Sequence, residues 1–281
     1  MTAAMDTVLG KSFSRLGGAK PRVLASAMAY NLFFATVPLV FAFIAVASLA
    51  GRDAEALAEL DAFLSVLPDT VAGFIRDIIE SAASVLGDAG GIAAVLSVLV
   101  AIWSGSRATL TLMEAIEVIE GEVDDRSWII KRAAGIAATI GLVLALLVVV
   151  AALVLSDSII AILEEVGSGR IATLVDVLAE PVAALALAAF LVGFFTWAPP
   201  EPLPGRWTAT LVAGGGITLA SIGFGWASSL GMLSDSTTFA ILGSVALVLL
   251  WLYIISYVLL AATAFSVTLS SDHPEQPLWS E

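Results

Sequence analysis

Residues 23–50 read VLASAMAYNLFFATVPLVFAFIAVASLA, and this stretch decides the class of the protein. From Val23 to Ala50 it carries no Asp, Glu, Lys or Arg. It is longer than the ~20 apolar residues a helix needs to cross a bilayer. Ser26, Tyr30, Asn31, Thr36 and Pro38 sit in its first two-thirds. An unsatisfied polar group in hydrocarbon is costly, so these residues are expected to face other helices rather than lipid. The segment therefore reads as the inner helix of a membrane bundle.

Composition points the same way. The chain has 281 residues, 59% hydrophobic and 13% charged, with a mean hydropathy of +1.02. Soluble domains hold about 25% charged residues, so the membrane class is chosen before any motif is inspected. There is no cysteine, which removes disulfides, thiolate nucleophiles and cysteine-ligated metals together. The only histidine is His273, near the C-terminal end. The formal net charge of -13 argues against nucleic acid as a partner, because that binding depends on Lys and Arg neutralising phosphates. An acid excess also suits very high salt, which makes a halophilic source a side expectation. No cofactor or metal is expected, and nothing in the pattern fixes an oligomeric state.

Upstream, residues 1–22 hold Lys11, Arg15, Lys20 and Arg22 against Asp6. A basic start before an apolar run resembles a secretory signal, but this run is about twice the ~7 to 15 residues of a signal core, so an uncleaved membrane helix is expected. Downstream, Ala54 to Leu67 repeats Leu57, Leu60, Leu64 and Leu67 at helical spacing with acids on the other side. Pro68 stops that helix, and Val71 to Leu86 carries a second apolar stripe. The two are expected to form an amphipathic hairpin, residues 54–86, on one membrane face.

Further charge-free windows follow at Ala89–Ser106, Ala133–Ser156, Pro181–Pro200, Trp207–Ser234 and Ser236–Ser271. The expected fold is all-α: a polytopic bundle of six transmembrane helices over residues 23–271, with both termini on one side. Residues 158–180 are expected to add a smaller surface helix, and 272–281 a disordered tail. Eight of the twelve Lys and Arg fall in the N-terminal segment, the loop before Ala133 and the loop before Trp207. By the positive-inside rule that side is cytoplasmic and the acidic hairpin faces outward.

Three blocks then resemble the YihY/BrkB family of integral membrane proteins. They are ASAMAYNLFFATVPLVFAFIAV, AIWSGSRATLTLMEAIEVIEGEVDDRSWIIKR and ILGSVALVLLWLYIISYVLL. The chain departs from the family pattern at Glu117 and Glu120, where Asn and Tyr are frequent, and at Ala261, Ala262 and Thr263, where Gly-Ala-Glu is frequent. The resemblance implies a six-helix membrane protein. Members were once labelled ribonuclease BN, and some are linked to serum resistance or to export of envelope lipid and lipopolysaccharide.

Candidate residues each carry two readings. Tyr30, Asn31, Thr36 and Pro38 could mark a polar substrate path, or Asn31 could simply hydrogen-bond a neighbouring helix. Pro38 removes a backbone donor and is expected to kink the first helix. Arg107, Thr111 and Glu114 share one helix face, and an intramembrane Arg is costly enough to be a functional candidate. Arg107 could hold a phosphate or carboxylate headgroup, or it could snorkel at a helix end. Trp103 and Trp251 are expected to pack inside, while Trp197 and Trp207 suit an aromatic belt. Glu114, Glu117, Glu120 and Glu122 read as a wet helix end meeting Arg126, Lys131 and Arg132. Gly215, Gly216, Ala220 and Gly223 read as a close-packing stripe, with a substrate groove as the other possibility.

A hydrolase or metal nuclease is hard to build from these parts. The leading expectation is a cytoplasmic-membrane protein that moves or presents a lipid-like or anionic envelope molecule, with membrane lipids as partners. Its membrane helices one, two and six would surround a cavity. The other reading is a non-transporting scaffold with a dry core there. A channel is disfavoured because no charged ring or repeated filter occurs.

Overall fold

The computed structural model describes residues 2–18, 20–49, 64, 67–121, 124–165, 169–229 and 237–272. Within them the chain is helical: α1 (Thr2–Gly18), α2 (Pro21–Leu49), α3 (Asp69–Glu120), α4 (Trp128–Glu165), α5 (Gly169–Trp197), α6 (Arg206–Ser229) and α7 (Thr237–Asp272). The six charge-free windows fall on helices α2 through α7, of which three are long and apolar enough to cross a membrane among the described residues.

Local chemistry sets the helix ends. Pro21 opens α2 at the position where a missing N–H costs least. Pro68 precedes α3, and Asp69 in the first turn complements the positive end of the helix dipole. Gly121 closes α3 in the left-handed conformation, φ 78°, its N–H donating to the Glu117 carbonyl at 2.9 Å.

The second limb of the expected hairpin needs correction. Val71 to Leu86 is not a separate surface limb, because α3 runs unbroken from Asp69 to Glu120 and joins it to the second membrane helix. Gly87, Gly90 and Gly91 weaken a helix by about 1 kcal/mol each, but no proline interrupts the run. Except for Leu64 and Leu67, the other limb lies outside the described residues. Residues 158–180 likewise form no single surface helix. Their start continues α4 to Glu165, and α5 begins at Gly169. The tail from residue 273 lies outside the described residues. The N-terminal segment folds as α1, which buries Leu16 and Ser12.

Among the described residues, Trp128–Leu146, Arg206–Ala227 and Gly243–Ser271 are long and apolar enough to cross a membrane, and Pro181–Trp197 is apolar but shorter. Helices α2, α3 and α7 pack on one another, α4 pairs with α5, and α6 lies on α7. The largest core cluster joins Leu16 of α1, Met28 of α2, Ile116 and Ile119 of α3, Phe195 of α5 and Leu260 and Val267 of α7. Ala198 and Leu203 of the α5–α6 loop enter the same cluster. Helix α1, the end of α3, that loop and the end of α7 thus meet at one end of the bundle. A second seam packs Ala29, Val71, Phe224, Val248 and Leu252 together.

That loop closes through Gly205, at φ 68°. The Ser266 hydroxyl of α7 lies 2.8 Å from the Pro204 carbonyl and 2.6 Å from that of Gly205, and it donates to this pair. A Cβ at residue 205 would meet Ser266 Oγ at 2.6 Å, so both conformation and space call for glycine.

Candidate functional site

The polar residues of α2 diverge. The Asn31 amide Nδ2 donates to Thr111 Oγ1 of α3 at 3.1 Å, and that hydroxyl donates to the Arg107 carbonyl at 2.9 Å. Tyr30 instead faces outward, 59% exposed, its ring 4.6 Å from that of Phe34. The Thr36 hydroxyl turns back to the Leu32 carbonyl. The side chain of Pro38 lies outside the described residues, although α2 stays helical through it. Asn31 therefore meets Thr111 in the α2–α3 seam, while Tyr30 and Thr36 point elsewhere.

On α3 an exposed stripe runs Ile92, Leu96, Leu99, Trp103 and then Arg107 and Glu114. Its steps of three, four and seven residues keep it on one face, and the face changes from apolar to charged between Trp103 and Arg107. Neither Arg107 nor Glu114 has an ion partner among the described residues. Trp103 is 50% exposed, which corrects its expected interior position: the same spacing that makes the stripe places it there. Trp251 does pack inside, its indole N–H donating to Ser221 Oγ at 3.2 Å. Trp197 and Trp207 are exposed.

Arg132, expected at a wet helix end, is 8% exposed. Its guanidinium carbon lies 3.7 Å from the centre of the Trp103 ring, and Nη2 donates to the Trp103 carbonyl at 3.1 Å. Its Nε is buried with no hydrogen-bond partner. The signal that locates it is the spacing Arg132, Gly135, Thr139, one face of α4. At this crossing Thr109 Oγ1 lies 2.9 Å from the Gly135 carbonyl and 3.3 Å from Thr139 Oγ1. A Cβ at Gly105 would meet Thr139 Cγ2 at 2.7 Å, so the two backbones come close.

Between α3 and α4, Arg126 clamps the loop. Its Nε and Nη2 bind the Asp124 carboxylate at 2.8–3.0 Å, and Nη2 also donates to the Ala198 carbonyl at 2.7 Å. Lys131 lies 3.6 Å from Asp124 and 3.5 Å from Glu117. Burial pushes the Asp124 carboxyl upward, but hydrogen bonds from Arg126 and the charges of Arg126 and Lys131 outweigh it and hold the group below its usual range. Among the described residues no group of acids or histidines is arranged to hold a metal.

In the expected packing stripe, Gly216 alone among the glycines approaches another helix: a Cβ there would meet Val258 Cγ1 at 2.6 Å. Gly214, Gly215 and Gly223 face open space, and Ala220 is half-buried. An apolar groove of ≈ 390 Å³ runs between α4 and α5, past Gly141, Ala145, Ala186, Ala189 and Phe190.

The sequence matches the family described as Virulence factor BrkB over residues 12–280. The chain belongs to the Virulence factor BrkB family. No curated protein and no solved structure matches it. As a BrkB-family chain with apolar helices it is a multi-pass membrane protein. The three blocks that carry the resemblance fall on α2, on the end of α3 running into α4, and on α7. Since α2, α3 and α7 pack together, those blocks form one contiguous region of the BrkB fold.

Proposed function

We propose that this BrkB-family membrane protein crosses the cytoplasmic membrane six times, with both termini inside, and moves or presents an anionic, amphiphilic envelope molecule. The single observation that carries this reading is Arg107. It stands exposed one turn beyond the exposed apolar stripe of α3, with no ion pair among the described residues. A cation held there complements a negatively charged headgroup whose tail lies along Ile92 to Trp103. The orientation is supported by α1, the α3–α4 loop and the α5–α6 loop meeting at one end, because these segments carry most of the Lys and Arg. Catalysis is no part of this reading.

The test is a lipid profile of a deletion strain complemented with Arg107→Ala, its insertion checked separately. Failure to restore the profile supports the reading, and full restoration ends it. The scaffold reading has its own support: Asn31 is satisfied by Thr111, and the α2–α3–α7 seam is filled by Ala29, Val71 and Leu252 rather than by polar groups around a void. A scaffold tolerates Arg107→Ala but loses assembly when Asn31→Leu loosens the seam.

A further inference from the structure

We propose that Trp103, Arg107 and Arg132 form a seat for the phosphate of an anionic lipid headgroup, an inference that rests on the reading above and names its substrate class. Three observations converge. Arg132 is buried, yet its hydrogen bond goes to a neutral carbonyl, its Nε has no partner, and among the described residues no carboxylate pairs with it. Arg107 is exposed one turn beyond Trp103 on the same face of α3, so a second guanidinium stands on the face that carries the ring Arg132 stacks on. The Trp103 face fixes the Arg132 guanidinium at 3.7 Å, and the ring is half exposed beside it.

Two guanidiniums with no acid paired to them among the described residues are relieved by an anion from outside the chain. Phosphate suits them best, because each guanidinium offers several N–H donors in a fixed plane and a phosphate accepts from both at once. The contrast with Arg126 is instructive: that arginine is already saturated by Asp124 and the Ala198 carbonyl and has nothing left to offer. The source is a lipid rather than free phosphate. The exposed residues Ile92, Leu96 and Leu99 lead along one helix face to Trp103 and Arg107, so an acyl chain on that face carries its headgroup to the two arginines.

The experiment uses the full-length protein, stripped of lipid in detergent and examined by native mass spectrometry. The probes are phosphatidylglycerol, diacylglycerol and inorganic phosphate. The wild type is expected to retain phosphatidylglycerol over diacylglycerol. Arg107→Gln, at an exposed position where folding is safe, is expected to lower that retention about tenfold, the size of one lost charge-assisted hydrogen bond. Arg107→Lys is expected to keep a larger part of it. Equal retention of both lipids, an unchanged Arg107→Gln protein, or binding of inorganic phosphate with no preference among lipids would each overturn the seat.

The same variant in the deletion strain separates the two ideas. If Arg107→Gln keeps phosphatidylglycerol but fails to restore the lipid profile, the seat falls and the proposed function stands. If it loses phosphatidylglycerol and still restores the profile, the seat stands and the proposed function falls.

Discussion

The start of α4 and the outer face of α6 are both rich in small residues, yet they behave oppositely. At the α3–α4 crossing, Gly105 and Gly135 bring two backbones together, and Thr109, Thr139 and Arg132 fill the gap with polar contacts. On α6, Gly215 and Gly223 face open space, and Leu219, Ile222 and Trp226 around them are exposed. Small residues permit close approach. The polar partners on the facing helix are what make the approach worth ordering.

The largest expected effect lies in the clamp at the start of α4. Arg126→Met leaves the fully buried Asp124 carboxylate without its main partner and is expected to destabilise by about 3 kcal/mol, the low end for a broken buried pair, since Arg126 is partly exposed. Thermal unfolding in detergent measures it. The clamp has a pH signature too. The Asp124 carboxyl sits below its ordinary value of about 3.9, so its stabilisation is complete above that value and is lost as pH falls through the lower folded one. A melting series taken into acid should show this loss in the wild type, and Asp124→Asn should lack it.

Next comes the crossing itself. Gly135→Leu is expected to cost about 2 kcal/mol through overpacking, since even a Cβ there meets Leu110 Cγ at 2.9 Å and the Ser106 carbonyl at 3.1 Å. A melting point equal to wild type would show that the helices can slide apart freely, and the contrast with α6 would vanish. Thr109→Val keeps the shape and removes the hydroxyl, for an expected loss of about 1 kcal/mol by the same measurement. The smallest effect belongs to α6: Gly215→Leu is expected to stay within about 0.5 kcal/mol of wild type. A large loss there would mean the stripe has a partner in the membrane, which solubilised wild type would reveal as a dimer.

How much of this could be read from the letters follows from the same physics. The absence of charge over residues 23–50, 133–156 and 236–271 announced helices in a membrane, because length and hydropathy act locally. That Asn31 could bond a neighbouring helix followed from the cost of leaving an amide in hydrocarbon, while the letters did not name Thr111 as its partner. Arg132 was misplaced because its proximity to Lys131 and Arg126 in sequence suggests a wet loop, whereas its side chain runs the other way along α4 to Trp103. Trp103 was misplaced for lack of a rule separating an exposed aromatic in an apolar helix from a buried one. The second limb of the hairpin was read as ending at Leu86 because its charges make it amphipathic, although nothing after it breaks the helix. The α6 stripe showed which residues were small and not which of them had a neighbour.

The unbroken α3 has one more consequence. Its 52 residues, at about 1.5 Å each, make a rod of about 78 Å, while the oily layer of a bilayer is about 30 Å deep. At the tilts usual for membrane helices, a crossing rod of that length would extend beyond the lipid. On the proposed six-crossing arrangement, one continuous helix ties the segment around Phe74 to the segment around Arg107.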